Sequence, residues 1–144
     1  MEELAFTHFP GTTVDRDQNL LGATLITAVA GDIANAAWTM PSSYQVTRVG
    51  VQITTAVVYG AAPTLAVIAL DRRVTNGSDA GRVELGRVNI PESAPLGAVY
   101  YIDVPNSATS QSGDLNTGDQ IVAEIITQGA GGTGTGAFRP LWWG

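Results

Sequence analysis

The 144-residue sequence contains no cysteine, no lysine and a single histidine, His8. Without cysteine there is no disulfide framework, no thiolate metal site and no cysteine nucleophile. Without lysine there is no Schiff-base chemistry and no P-loop lysine to grip a phosphate. One histidine cannot build a multi-histidine metal centre within one chain. Charged residues make up only 14% of the chain, against about 25% in an average soluble domain. The charge is also lopsided: seven basic residues, all arginine, oppose 13 acidic ones, for a net charge of −6. Such a chain is repelled by phosphate backbones and by anionic lipid, so neither nucleic acid nor a membrane is an expected partner. No apolar run approaches the ~20 residues of a membrane span. Met1-Glu2-Glu3 is acidic where an export signal would be basic, so none is expected.

What the sequence does contain favours strands. Hydrophobic residues reach 44%, enough for a core, and 17 glycines accompany abundant Thr, Ala and Val. β-branched side chains suit a pleated sheet and glycine suits tight turns. The length fits one domain. Residues 1–22 read as an extended N-terminal arm, with Pro10-Gly11, charges at 15–17 and the apolar anchors Phe6, Phe9, Leu20 and Leu21. The body, residues 23–144, shows eight strand-like runs: 23–29, 35–40, 44–58, 64–70, 82–90, 99–104, 121–127 and 137–143. Within the third, Val49, Val51, Ile53, Thr55 and Val57 share one face at period two, and the opposite parity of Val46 suggests a bulge or kink near Gly50. Asn76-Gly77 marks a two-residue hairpin turn. No stretch keeps a helical period beyond one turn. The expected fold is an all-β, two-sheet β-sandwich, jelly-roll-like, with an immunoglobulin-like sandwich as the alternative strand order.

The motifs that could carry chemistry are incomplete. Gly129, Gly131 and Gly134 match a dinucleotide fingerprint in spacing, but a strand-like run follows where a helix is needed, so the segment reads as a hairpin loop between the last two strands. Asp15-x-Asp17-x-Asn19 opens like a calcium loop, yet Leu20 and Ile26 stand where Gly and Glu are required. Asp114 and Asp119 could share a cation with Asn116, or simply cap their own turn. His8 sits in the arm without an orienting partner. Asp71, Asp79, Glu84, Glu92, Asp103 and Glu124 offer carboxylates, but nothing selects a pair. Arg72-Arg73 beside Asp71 could form an ion pair or a solvated strand end. No catalytic centre, cofactor or metal is expected.

The most informative cluster is Phe138, Arg139, Leu141, Trp142 and Trp143 at the C-terminal end of the sequence. Indoles left in water there would be an aggregation liability, so they belong either in the sandwich core or at a subunit interface. Trp and Arg are favoured interface anchors. The candidate subunit or capsid contacts are therefore Phe6, His8, Phe9, Leu20, Leu21, Arg139, Trp142 and Trp143.

The pattern as a whole resembles the small decoration (cement) proteins of tailed-bacteriophage heads. The likeness rests on the arm with Phe9-Pro10-Gly11-Thr12-Thr13-Val14, the cysteine-free Gly-, Ala-, Thr- and Val-rich body, Thr117-Gly118-Asp119-Gln120-Ile121-Val122 before the penultimate strand, and the Gly-rich segment leading to an aromatic end. The resemblance implies a non-enzymatic β-sandwich homotrimer on the outer capsid surface of a virion, bridging major capsid protein subunits. The alternative is a carbohydrate-binding or receptor-binding domain of a phage tail fibre, with Tyr59, Tyr100, Tyr101, Trp38, Trp142 and Trp143 as stacking candidates. A ring-forming connector or tail-tube subunit is a further possibility.

Overall fold

The computed structural model describes residues 23–74, 78–105, 113–129 and 135–144. Its strands are β1 (Thr24–Leu25), β2 (Gly31–Thr39), β3 (Tyr44–Gln45), β4 (Arg48–Val58), β5 (Val67–Val74), β6 (Ser78–Asn89), β7 (Ser93–Ala94), β8 (Val99–Asp103), β9 (Asp114–Leu115), β10 (Gln120–Thr127) and β11 (Thr135–Trp143). The described residues contain no helix. Sheet A runs β1-β11-β4, with β7 and β8 both paired to the far side of β4. Sheet B runs β2-β10-β5-β6, and β3 pairs with β9 as a small ribbon.

This order identifies the fold as a jelly roll. Without β3, β7 and β9, eight strands remain, and their antiparallel pairs nest: β1 with β11, β2 with β10, β4 with β8, β5 with β6. The chain is thus one long hairpin, folded at the β5–β6 turn and wrapped so that alternate pairs fall in opposite sheets. The immunoglobulin-like alternative has a different order and is excluded. The Asn76-Gly77 turn itself lies outside the described residues, but the strands that it joins pair with Val74 opposite Ser78.

Period-two alternation builds the core. Val49, Val51 and Ile53 of β4, Ile68 and Leu70 of β5, Ile121, Ala123 and Ile125 of β10, and Phe138 of β11 point between the sheets and are buried. Burial of each large side chain is worth about 1.5–3 kcal/mol, and this apolar layer supplies the main drive for folding. Tyr59 braces the loops at one end: its buried hydroxyl accepts the Ala66 N–H at 2.9 Å and donates to the Ile90 carbonyl at 3.0 Å.

Four local expectations need correction. The run 23–29 shrinks to the two strand residues of β1, and the run 35–40 starts earlier, with β2 beginning at Gly31. The break in the 44–58 run falls at Val46-Thr47, where Val46 N–H turns to the Gly113 carbonyl, and not at Gly50. Thr55 is exposed because two register shifts between Ile53 and Val58 interrupt the alternation. The glycine-rich segment is no hairpin loop: β10 lies in sheet B and β11 in sheet A, so the chain crosses from one sheet to the other there.

Candidate interaction face on sheet A

β4 is the centre of sheet A, and one side of it is already committed to the core by Val49, Val51 and Ile53. The intervening residues Arg48, Gly50 and Gln52 therefore face outward. The register adds their neighbours from both flanks, giving three rows across the sheet. These are Arg139–Gln52–Val99, Leu141–Gly50–Tyr101 and Trp143–Arg48–Asp103.

Gly50 at the centre has a structural reason. A Cβ there would lie 2.2 Å from the Tyr100 carbonyl oxygen and 2.8 Å from Tyr101 Cα, so only glycine lets β8 approach this closely. The gap it leaves on the outer face also lets the side chains of Tyr101 and Trp143 meet diagonally across β4. Their ring centroids are 5.9 Å apart with planes at 61°, an edge-to-face arrangement. The Arg48 guanidinium lies 4.5 Å from the Tyr101 ring centroid, and its Nε donates to Asp103 at 2.8 Å. Arg139 Nε donates to Gln52 at 3.1 Å. Tyr101 is 51% exposed and Val99 40%. The result is a preordered surface of aromatic, arginine and apolar groups, the residue types that dominate binding hot spots. Its chemistry is stacking, hydrogen bonding and apolar contact.

The two C-terminal indoles separate by parity. Trp142 turns inward, 4% exposed, and its ring meets Tyr44 at 5.4 Å and Trp38 of sheet B at 6.4 Å, both edge-to-face. It closes one end of the sandwich and is a core residue. Trp143 and Arg139 stand on the outer face. Phe6, His8, Phe9, Leu20 and Leu21 lie outside the described residues. Arg48 was not among the sequence candidates, although the alternation in β4 already exposed one polar face, and Tyr101 entered only as a stacking candidate for the carbohydrate-binding alternative.

The outer face of sheet B carries a second cluster, one that nothing in the sequence singled out. Arg82 donates to Asp71 at 2.8 Å and to Asp32 at 2.7 Å, with Glu124 at 3.4 Å. Asp71 is 5% exposed. The hydrogen bond from Arg82 holds the Asp32 carboxyl below its ordinary range against a smaller opposing effect of burial. Burial, then the hydrogen bond and charge of Asp71, push Glu124 up. Asp71 thus pairs with Arg82, while Arg72 donates to the Asp114 carbonyl at 3.2 Å and Arg73 to Gln120 Oε1 at 2.9 Å. The carboxylates of the 114–119 turn are held locally: Asp119 accepts the Asn116 N–H at 2.9 Å, and Asp114 accepts from Gln45 at 2.9 Å. Among the described residues no group of three or more His, Cys, Asp or Glu is placed to hold a metal ion. Nor is any helix there long and apolar enough to cross a membrane.

No protein-family model, curated protein or solved structure matches the chain.

Proposed function

We propose that the chain is a non-enzymatic virion structural protein, a decoration or cement protein. In this reading it binds the outer surface of a tailed-phage head as a homotrimer and bridges neighbouring major capsid subunits. The observation that carries the reading is the outward Arg48–Tyr101–Trp143 cluster, preordered on a rigid sheet. That sheet is also the one that β1 enters, directly after the 22-residue arm. A face of this kind together with an arm suits adhesion: the rigid part contributes anchors at low ordering cost, and the arm adds contact area. Symmetric assembly multiplies such contacts into avidity.

The test is co-expression with the major capsid protein encoded nearest its gene, followed by sedimentation of the heads through sucrose. The full chain is expected to travel with the heads, and light scattering of the free protein to give about 45 kDa, three times the 14.9 kDa chain. A Tyr101→Ala/Trp143→Ala double variant, and a chain lacking residues 1–20, are expected to fold but to stay at the top of the gradient. A full chain that never sediments with heads, or variants that bind undiminished, would sink the reading.

The exposed ring of Tyr101, edge-to-face with half-buried Trp143 and beside Asp103 and Arg48, also favours a second reading, as a glycan- or receptor-binding domain of a tail fibre. Tyr100 and Tyr101 oppose Val51 and Gly50 respectively, so they face opposite sides of the sheet and do not form one platform. A glycan array separates the two readings, since specific sugar binding without head binding supports only the second.

A further inference from the structure

The β8 strand ends sheet A. Among the described residues it pairs only with β4, leaving its other edge with unclaimed backbone donors and acceptors. Natural sheet edges are usually blunted by lysine, proline, a bulge or a covering segment. β8, Val-Tyr-Tyr-Ile-Asp, has none of the first three within it, and its one charge, Asp103, is engaged by Arg48. Instead it exposes apolar side chains on both faces: Val99 and Tyr101 outward, and Ile102, 44% exposed, on the inner side against Gly86 of β6. Between β8 and β6, the edge strand of the other sheet, runs an open groove of about 520 Å³ lined by Arg87, Val88, Asn89 and Tyr100 along with Ile102. An added strand would thus find hydrogen-bonding partners along β8, a groove of mixed apolar and polar lining for the side chains on one face and Tyr101 for those on the other.

From this arrangement we infer that the free edge of β8 receives an extended stretch of the N-terminal arm of a neighbouring copy, residues 4–9, as an added β-strand. This rests on the self-assembly proposed above and names its contact. The segment Leu4-Ala5-Phe6-Thr7-His8-Phe9 carries no acidic or basic residue other than His8 and contains neither Gly nor Pro. At six residues it is long enough to cover the five of β8, has apolar side chains on both parities, and is stopped by Pro10, which has no N–H to continue a ladder. Where the arm joins the body decides whose arm it is. β1 lies at the opposite edge of sheet A, three strand spacings or about 14 Å from β8, so a chain's own arm would have to double back across its outer face. A neighbour's arm can approach the edge directly. Twenty-two residues span up to about 70 Å when extended, well beyond the ~15 Å radius of gyration of a domain this size. Handing each arm to the next copy is a head-to-tail contact, the type that closes into rings such as trimers.

The absence of cysteine makes the test clean. Full-length chains carrying Phe6→Cys or Thr7→Cys are each co-expressed with chains carrying Tyr100→Cys or Tyr101→Cys, oxidised without any capsid present, and digested for mass spectrometry. The expected result is an interchain disulfide that alternates: the arm cysteine that links to position 101 does not link to position 100, and the other arm cysteine does the reverse. That pattern is the period-two signature of a strand. Absence of any link in a protein that light scattering shows to be assembled overturns the inference and leaves the assembly standing. Links that ignore parity, or a link formed only inside a chain carrying both cysteines, overturn it as well. An alternating interchain link in a protein that does not bind heads supports the arm exchange and removes the decoration role alone.

Discussion

Replacing Arg82 by methionine tests the electrostatics of sheet B. Arg82 is the cation shared by Asp71, Asp32 and Glu124, from three different strands, and its side chain is only 17% exposed. Methionine keeps most of the apolar stem, so the variant removes the charge more than the packing. Breaking a buried ion pair from one side costs about 3–5 kcal/mol, because the partner is left buried and uncompensated. Asp71, with 7% of its side chain exposed, is such a partner. Asp32 and Glu124 are more open, at 44% and 31%, and their pairing adds at most about 1 kcal/mol each. The expected loss at pH 7 is about 3 kcal/mol, read by urea unfolding. The pH dependence is the sharper signature. In the native protein Asp32 is held down by Arg82, so its contribution is present above its unfolded pKa and lost as pH falls through the folded one. Glu124 is pushed up by burial, so its effect has the opposite sign, present at low pH and lost as pH rises through the folded pKa. Without Arg82 the Asp32 carboxyl loses the donor that holds it down and Glu124 loses the charge that opposes its upward shift, so the variant binds protons at higher pH than the native protein. Its deficit is therefore greatest at neutral pH and smaller near pH 4, where Asp32 and Glu124 carry less charge. An equal deficit at both pH values, or one under about 1 kcal/mol at pH 7, would refute this account.

Three further outcomes follow from the structure. Tyr59→Phe strands the Ala66 N–H and the Ile90 carbonyl, and is expected to cost about 1–3 kcal/mol in thermal or urea unfolding. The Tyr59 pKa is raised, chiefly by burial, so its contribution is present below the unfolded pKa and is lost as pH climbs through the folded one. The native protein should therefore lose stability faster than Tyr59→Phe in alkaline titration. Gly50→Ala forces a Cβ into the Tyr100 carbonyl, so β8 must shift. A loss of about 1–3 kcal/mol is expected, with a changed near-ultraviolet dichroism from the Tyr101–Trp143 pair. Trp142→Ala is expected to lower stability by about 3–5 kcal/mol, while Trp143→Ala, on the outer face, should lower it by far less and act on binding, so that unfolding and head sedimentation sort the two neighbours.

The strands themselves were legible in the sequence because their causes are local. Alternation in residues 48–53, β-branched runs and Gly or Pro punctuation located the main strands to within a few residues, and β-propensity without any helical period settled the class. Strand order was another matter. Jelly-roll and immunoglobulin-like sandwiches can be built from the same alternating runs, and only the nested long-range pairing, from Thr24 opposite Phe138 inward to Val74 opposite Ser78, distinguishes them. The candidate face was half legible. Parity alone required Trp142 and Trp143 to face opposite ways, but which of them met the core depended on Trp38 and Tyr44 arriving from elsewhere in the chain. Tyr101 and Arg48 became partners of Trp143 only through the register of β4 with β8 and β11, which Gly50 permits by having no side chain. Asp71 has Arg72 and Arg73 close by in sequence but pairs with Arg82 on the adjacent strand: the odd-even alternation turns Arg72 to the other face, and Arg73 donates to Gln120. Local chemistry determined which segments would be strands. The choice of partner for each strand, and with it every cluster on the two outer faces, came from the free energy of burying all the inward-facing side chains at once, a sum over the whole chain that no window of sequence contains.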